Sequence, residues 1–261
     1  MSQSPPVEPD TNEPSDSLWR RLIGALRFLT IVRMPASWAT TDPPLAKSLA
    51  FFPLIGLIIG ALLLSIGMLA GWFWGGGVRA VAVVVAWGVI TGGLHLDGLS
   101  DTFDGVMSWR PRERKLEIMR DSRVGVMGVL ALAAIVGLKV ALLFGTDEWV
   151  PALLLAPALG RWAICYGLGR FPAARADGLG AMAQVQTSSG LVFAPTVIVI
   201  IAALLIAGLR GAVALALVWL AARTLARWWT RDLGGLTGDT YGALCEIAEV
   251  VALAALTARI S

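Results

Sequence analysis

The chain has 261 residues, of which 57% are hydrophobic and 15% are charged, with a formal net charge of +3. A soluble domain carries about a quarter of its residues as charged side chains, so this composition excludes an ordinary soluble enzyme. Several apolar runs reach about 20 residues, the length that crosses a bilayer. We therefore predict an all-α protein, a polytopic transmembrane helical bundle that contacts membrane lipid and binds no nucleic acid.

The N-terminal region changes character at residue 17. Residues 1–17 hold four prolines and four acidic side chains with almost nothing apolar, a composition typical of a disordered tail. Residues 18–32 place leucine, isoleucine and tryptophan at helical spacing beside three arginines. This pattern predicts an amphipathic helix that lies on the membrane, with its arginines toward anionic headgroups. Residues 18–261 are predicted to form one integral membrane domain.

Seven apolar segments follow the surface helix. Their ranges are Ser48–Leu69, Val78–Leu96, Val124–Phe144, Val150–Leu168, Leu191–Leu209, Gly211–Trp228 and Tyr241–Ala258. The last is the weakest, because two glutamates interrupt it. The fifth and sixth are separated only by a tight turn at residues 208–211, which predicts an antiparallel hairpin. The sequence therefore predicts about seven spans.

The distribution of lysine and arginine predicts the orientation of these spans. One side of the membrane receives the basic residues of the surface helix and of residues 108–123, whereas the other receives only Arg79, Arg210 and Arg259. Cytoplasmic loops carry the excess of positive charge. We therefore expect the N-terminus in the cytoplasm, the C-terminus outside, and the end of the second span at the cytoplasmic face.

An acidic stretch, residues 92–105, follows that second span. If it is helical, Asp97, Asp101 and Asp104 stand at positions i, i+4 and i+7 and share one face. Three stacked carboxylates repel each other unless a cation neutralises them, and an all-oxygen ligand set suits Mg²⁺. The alternative is a solvated acidic turn. Acids at a membrane edge are costly and often functional, so we favour a magnesium site.

A basic loop, residues 108–123, comes directly after the acidic stretch. Its first arginines are explained equally well by topology alone. Arg120, Asp121 and Arg123 differ, because they adjoin the start of the third span, where a helix N-terminus and guanidinium groups can hold phosphate. Phosphoryl transfer requires acidic side chains that bind a metal and, beside them, arginines that bind phosphate, and this sequence places both together.

A third group of polar residues, 234–249, leads into the last span from the same side. Asp239 and Glu246 would share a helix face, which Gly242 leaves open. The alternative is that an acid at a helix N-terminus only complements the helix dipole. We expect the helices of the two acidic groups to be neighbours and their carboxylates to hold two Mg²⁺ ions together.

Two further polar residues allow more than one interpretation. His95 points away from the three aspartates on a helix, so it makes either a structural hydrogen bond or a substrate contact. Lys139 lies inside the third span, where an unpaired lysine is costly. It is either the partner of a buried carboxylate or a substrate-site residue.

Several motifs together resemble the cobalamin synthase family over residues 18–261. The central ones are Leu94-His-Leu-Asp-Gly-Leu-Ser-Asp-Thr-Phe-Asp-Gly105 and Glu117-Ile-Met-Arg-Asp-Ser-Arg-Val-Gly-Val-Met-Gly128. Others are Phe28-Leu-Thr-Ile-Val-Arg-Met-Pro35, Phe51-Phe-Pro-Leu-Ile-Gly56, Gly160-Arg-Trp162, Arg175-Ala-Asp-Gly-Leu-Gly180 and Gly234-Gly-Leu-Thr-Gly-Asp-Thr-Tyr-Gly242. Where the family often has Arg-Ile-Pro, this chain has Arg-Met-Pro ending at Pro35, a mild departure.

The resemblance implies a late step of cobalamin biosynthesis, catalysed by a multi-pass enzyme of the bacterial cytoplasmic (inner) membrane. Such an enzyme uses Mg²⁺ to join adenosylcobinamide-GDP to α-ribazole or α-ribazole 5′-phosphate, and it releases GMP. The corrinoid nucleotide and the ribazole are then the partners, and a homo-oligomer is compatible with the sequence. The active site is expected at the cytoplasmic face, within a catalytic domain of residues 18–261.

The site residues expected from the motifs and the resemblance fall into three groups. The catalytic residues are Asp97, Asp101 and Asp104. The metal ligands are the same three with Asp239 and Glu246. The substrate-binding residues are His95, Arg120, Asp121, Arg123, Lys139 and Arg161.

Two other classes of membrane protein remain as alternative functions. A membrane lipid enzyme of the CDP-alcohol phosphotransferase type shares the aspartate-rich helix end, but Asp101 and Thr102 stand where that motif has Ala-Arg. A transporter would use Lys139, but transporters bind near the membrane midplane, whereas these acids cluster at one interface. Both alternatives are therefore weaker than the transferase.

Overall fold

The regular structure is helical throughout residues 17–35, 45–175 and 192–258, which are the residues that the computed structural model describes. An isolated bridge between Ala173 and Leu236 is the one exception in these ranges. The helices are α1 (Leu18–Leu29), α2 (Leu45–Ser48), a 3-10 turn (Leu49–Phe51), α3 (Phe52–Phe73), α4 (Gly76–Ile90), α5 (Leu94–Val106), α6 (Arg112–Ile118), α7 (Val126–Leu143), α8 (Trp149–Arg170), α9 (Phe193–Leu233) and α10 (Gly238–Thr257). The all-α prediction is confirmed; the predicted disordered tail lies outside the described residues, apart from Ser17.

In the part of the chain that the structure describes, five helical runs are long and apolar enough to cross a membrane: residues 45–73, α7, α8, α9 and α10. A sixth arises if α4 and α5, which are bent by 88°, form one broken span. α9 has 41 residues and breaks at Gly208, whose φ and ψ are 54° and −130°. A Cβ atom on Gly211 would overlap the carbonyl of Ala203, so the two arms fold back on each other. The predicted hairpin is confirmed, and the two arms bring the count close to seven.

The surface helix predicted at the N-terminus is present as α1. Ser17 caps it, since its side chain accepts a hydrogen bond from the Arg20 amide at 3.4 Å. Ile23, Ala25 and Leu29 are buried, whereas Leu18 and Trp19 in the first turn remain exposed. The helix therefore packs on the bundle beyond its first turn, which leaves two large apolar side chains exposed.

α8 is the centre of the bundle, because it is buried from Ala152 to Leu168 apart from the half-buried Leu154. α3 packs directly on its backbone: a Cβ atom on Gly60 would lie 2.5 Å from the carbonyl of Leu153. α10 packs on it as well, where a Cβ atom on Gly160 would lie 3.0 Å from Cys245 Sγ. Glycines at helix contacts allow backbones to approach closely in membranes. This packing fixes the position of α10, which carries part of the candidate site.

The predicted second span, Val78–Leu96, is wrong in its extent. α4 ends at Ile90, and Gly92 and Gly93 follow with φ of 61° and 68°. Such positive φ values suit glycine and end a right-handed helix. The chain therefore turns by 88° before α5 begins at Leu94, so the acidic stretch is a separate helix.

Candidate active site

The three aspartates of the acidic stretch lie on α5, as the helical spacing predicts. Asp97 is exposed, whereas Asp101 and Asp104 are partly buried. The other side of α5 is buried against the bundle through His95, Leu99 and Thr102. The carboxylates therefore stand on the open face of a helix whose opposite face is fixed by packing.

α5 and α10 approach each other at glycines. A Cβ atom on Gly98 would lie 2.8 Å from the carbonyl oxygen of Asp239, and one on Gly242 would lie 3.1 Å from that of His95. The start of α10 is held by a capping box between Thr237 and Thr240. The prediction that these two helices are neighbours is confirmed, and Asp239 lies beside the acidic face of α5.

Four carboxylates interact electrostatically at this contact. Asp97, Asp239 and Asp104 each repel the carboxylate of Asp101. The positive charges of Arg175 and Arg120 also act on Asp239. We call Asp97, Asp101, Asp104 and Asp239 the aspartate cluster. Its negative charge and hard oxygen donors suit a divalent cation such as Mg²⁺.

The described side chains do not form a complete metal cage. Within residues 17–35, 45–175 and 192–258, no three His, Cys, Asp or Glu side chains converge closely enough to hold an ion. Mg²⁺ is usually bound through one or two carboxylates, with waters and substrate phosphates completing its octahedron. The cluster therefore fits a metal that is shared with a phosphate-bearing substrate.

Asp104 has a second set of partners. Its Oδ2 accepts a hydrogen bond from the Gly125 amide at 2.7 Å, and its Oδ1 accepts one from the Gly128 amide at 2.8 Å. These amides belong to the N-terminus of α7, whose cap residue, Gly125, has no side chain to serve them. Asp104 therefore caps α7 from another helix, and it occupies the N-terminus at which the sequence predicts phosphate binding.

Glu246 is not brought to the aspartate cluster. It is buried, and its Oε2 accepts a hydrogen bond from Lys139 Nζ at 2.7 Å. Lys139 also pairs with Glu249, and Glu249 pairs with Arg161. Of the two interpretations of Lys139, the structure favours the partner of a buried carboxylate. Lys139, Arg161, Glu246 and Glu249 form what we call the buried charge network.

The arginines of the basic loop divide between two environments. Arg120 is close enough for its charge to act on Asp239. Arg123 instead donates to Asp121, with its Nη2 at 2.6 Å from Oδ2. These hydrogen bonds lower the pKa of Asp121 to about 2. Arg120 is thus the predicted phosphate contact nearest the cluster, whereas Asp121 and Arg123 form an exposed pair beside it.

Sequence reasoning missed several residues that shape the site. Arg175, which acts on Asp239, also donates to the carbonyl of Leu116 at 2.7 Å and so ties the basic loop to the cluster. Arg112 donates to the carbonyls of Leu233 and Ala174 at 2.7 and 3.0 Å, which holds the end of α9. The presence of Arg175 in a family motif was the available signal. Nothing in the sequence points to the partners of Arg112.

The close contact of α5 and α10 gives a first testable prediction. We expect Gly98→Ala to lower transferase activity and to reduce the free energy of unfolding by about 1–3 kcal/mol, because the new methyl group overpacks the Asp239 backbone. Gly137→Ala on α7 is the matched control, since no other element of the described residues lies within 4 Å of its Cβ position. Thermal unfolding in detergent measures both. Equal stability of the two variants would contradict the helix contact.

Comparison with known proteins gives a consistent result. The model of the cobalamin-5-phosphate synthase family matches residues 21–257. A protein of Roseiflexus sp. (strain RS-1), named adenosylcobinamide-GDP ribazoletransferase, is 60% identical over 234 residues, which are 89% of this chain and 87% of that protein. A protein of the same name from Herpetosiphon aurantiacus is 44% identical over 93% of this chain and 98% of its own length.

The similarity extends to more distant bacteria. A protein of Desulforamulus reducens with the same name is 40% identical over 86% of this chain and 91% of its own length. No solved structure matches the chain. The family match runs from within α1 to the end of α10, and it therefore includes the aspartate cluster and both helices that carry it. The chain belongs to the cobalamin-5-phosphate synthase family.

Proposed function

We propose that the protein is a Mg²⁺-dependent transferase that joins adenosylcobinamide-GDP to α-ribazole or its 5′-phosphate, with adenosylcobalamin or its 5′-phosphate and GMP as products. The observation that carries the proposal is the meeting of α5 and α10, which places Asp239 beside Asp97 and Asp101. The names of the three relatives described above support the same reaction. The multi-pass helical bundle is compatible with a membrane-bound step.

Asp97 and Asp239 are the residues that would hold Mg²⁺, whereas Asp101 and Asp104 would add to the negative charge around it, and Asp104 also caps α7. The metal supplies neutralisation of the diphosphate in the GDP moiety. Glu246, a ligand in the sequence-based prediction, is not part of this proposal because it is paired with Lys139. Arg120 and Arg175, whose charges reach Asp239, would contact the phosphate oxygens.

The reaction is a substitution at phosphorus. The 3′-hydroxyl oxygen of the ribazole forms a bond to the phosphorus attached to the cobinamide arm. The bond from that phosphorus to the bridging oxygen breaks, and GMP leaves with the electron pair. We assign acceptance of the hydroxyl proton to Asp101, because it is partly buried and lies among the other three carboxylates. Arg120 would then stabilise the charge of the leaving phosphate.

The proposed setting is the bacterial inner membrane, with the aspartate cluster at the cytoplasmic face. This orientation rests on the lysine and arginine distribution, and it gives the site access to cytoplasmic nucleotides. α1 would lie at the same face, where its outward Leu18 and Trp19 can contact lipid. A reporter fused within residues 110–115 would then be cytoplasmic.

The reaction is tested directly with purified protein. Incubation with adenosylcobinamide-GDP, α-ribazole and Mg²⁺ is expected to release GMP and form adenosylcobalamin in equal amounts, because one bond to phosphorus replaces another. Omission of α-ribazole should abolish GMP release. Release of GMP without ribazole would indicate a hydrolase, and release of CMP from a CDP-linked lipid would favour the lipid enzyme instead.

A further inference from the structure

A cavity of about 170 Å³ adjoins the aspartate cluster. Its wall is mainly apolar and comes from α1, α2, α3, α5 and α8, through the side chains of Phe28, Leu45, Phe52, Leu94, Ile164 and Leu168. The rings of Phe28 and Phe52 are stacked, with centroids 5.9 Å apart. An apolar cavity of about 150 Å³ is large enough to bind benzene. The space therefore suits a small flat aromatic group.

Two buried polar side chains line this cavity without protein partners. His95 is 3% exposed and Tyr241 is 5% exposed. Neither ring nitrogen of His95 nor the hydroxyl of Tyr241 has a hydrogen-bond partner in the described part of the chain. A buried polar group without a partner costs about 1–3 kcal/mol, and such groups are rare in native proteins. Two of them in one cavity indicate a ligand that supplies their hydrogen bonds.

The charges around the cavity limit what that ligand can be. Asp97 and Asp239 line its edge, and the lining residues that the structure describes include no lysine or arginine. A phosphate group placed against the apolar wall would lose its hydration without gaining a lysine or arginine partner there. An acyl chain would fit the apolar wall, but it would leave His95 and Tyr241 without partners. The remaining class is an uncharged aromatic ring system that contains a hydrogen-bonding nitrogen.

We propose that this cavity binds the fused aromatic base of the acceptor nucleoside, an inference that rests on the transferase function proposed above. A base with one ring nitrogen bonded to ribose keeps a second, unsubstituted ring nitrogen as an acceptor. The Tyr241 hydroxyl donates to that nitrogen, and a ring nitrogen of His95 bonds a ribose hydroxyl. The ribose then lies toward Asp97 and Asp239 at the cavity edge, where its hydroxyl can reach the reacting phosphorus.

The proposal makes Tyr241 a specificity residue, and a pair of probe molecules tests it. 1-Methylbenzimidazole carries the acceptor nitrogen, whereas 1-methylindole has the same shape without it. We expect the wild-type protein in detergent to bind 1-methylbenzimidazole about five- to tenfold more tightly, as one net hydrogen bond implies. Tyr241→Phe should abolish this preference. Calorimetric titration without the other substrate measures it.

Tyr166→Phe is the matched control, because Tyr166 is the other of the two tyrosines, is also buried, and does not line the cavity. Its ring stacks on that of Trp162, with centroids 5.7 Å apart. The control variant should keep the wild-type preference. Tyr241→Phe should not lower the unfolding temperature, since the hydroxyl has no described protein partner. If this variant nevertheless unfolds, the comparison of the two probes on the wild-type protein still tests the proposal. Equal binding of both probes by the wild-type protein would overturn the proposal.

Steady-state kinetics separates this inference from the proposed function. In the complete reaction, Tyr241→Phe should raise KM for α-ribazole about five- to tenfold while KM for adenosylcobinamide-GDP stays unchanged. Wild-type turnover with no effect of Tyr241→Phe on either KM would overturn the base pocket and leave the transferase intact. Selective binding of 1-methylbenzimidazole by a protein that releases no GMP would support the pocket and contradict the transferase.

Discussion

Asp97→Asn and Asp101→Asn are each expected to lower kcat for GMP release by about a hundred- to a thousandfold, the loss typical of removing one group that stabilises charge in a transition state. Both carboxylates belong to the aspartate cluster, in which Asp101 experiences the charges of Asp97 and Asp239. Asparagine keeps the size of the side chain, so membrane insertion and thermal unfolding should change little. Initial rates over a range of Mg²⁺ concentrations measure the effect.

The control for this prediction is Asp147→Asn. Asp147 is exposed in the turn between α7 and α8, and removing its charge should leave the rate and the magnesium dependence unchanged. Asp239→Asn should raise the Mg²⁺ concentration required for half-maximal activity, and its effect should not add to that of Asp97→Asn, because ligands of one metal are coupled. Near wild-type rates for Asp97→Asn and Asp101→Asn at limiting Mg²⁺ would show that the cluster does not hold the metal.

Asp104→Ala should behave differently from the other variants of the cluster. It removes the acceptor for the amides of Gly125 and Gly128, so the N-terminus of α7 loses its cap. Loss of a helix cap costs about 0.5–2 kcal/mol of stability. A lower unfolding temperature for Asp104→Ala than for Asp97→Ala would distinguish the capping role from a direct role in metal binding.

How well the sequence predicts a structural feature depends on how far apart in the chain the interacting residues lie. Helical spacing within one stretch is local, so it predicted that Asp97, Asp101 and Asp104 lie on one helix. The neighbour relation of α5 and α10 was also predictable, because the lysine and arginine distribution predicts both acidic groups at the same side of the membrane. The capping of α7 by Asp104 joins two helices, and the sequence contains no local sign of it.

The differences have similar physical causes. The break between α4 and α5 arises from two successive glycines at positive φ, which hydropathy alone does not detect because the flanking residues are apolar. Glu246 shares a helix with Asp239, but seven residues separate them, which is about 10 Å along an α-helix. That distance carries Glu246 from the cluster into the bundle, where Lys139 from another helix neutralises it.

The buried charge network leads to the second large prediction. Lys139→Met is expected to reduce the free energy of unfolding by about 3–5 kcal/mol, the usual cost of leaving a buried charge without its partner. Lys139 Nζ bonds Glu246 at 2.7 Å, pairs with Glu249 and lies 4.2 Å from the ring centre of Trp87. It therefore connects α7 to α10 and to α4. Denaturation of the purified protein in detergent measures the loss.

Charge balance, rather than the loss of lysine packing, is the reason for this expectation. Within the network, Lys139 and Arg161 carry two positive charges and the two glutamates carry two negative ones, so Lys139→Met leaves one carboxylate uncompensated. The double variant Lys139→Met/Glu246→Gln restores neutrality and should recover most of the stability, since neutral side chains often replace buried ion pairs at little cost.

An exposed ion pair provides the control for the network. Arg210 bonds Glu148 at 2.9 Å, and their side chains are 42% and 50% exposed. Arg210→Met should cost no more than about 1 kcal/mol, because water solvates both charges once the pair is broken. If Lys139→Met and the double variant Lys139→Met/Glu246→Gln lose the same stability, the charge of Lys139 is not what stabilises the contact. The packing of the lysine stem would then hold α7 against α10. If Lys139→Met costs no more than Arg210→Met, Glu246 and Glu249 are neutral or hydrated in the membrane, and the network does not stabilise the bundle beneath the aspartate cluster.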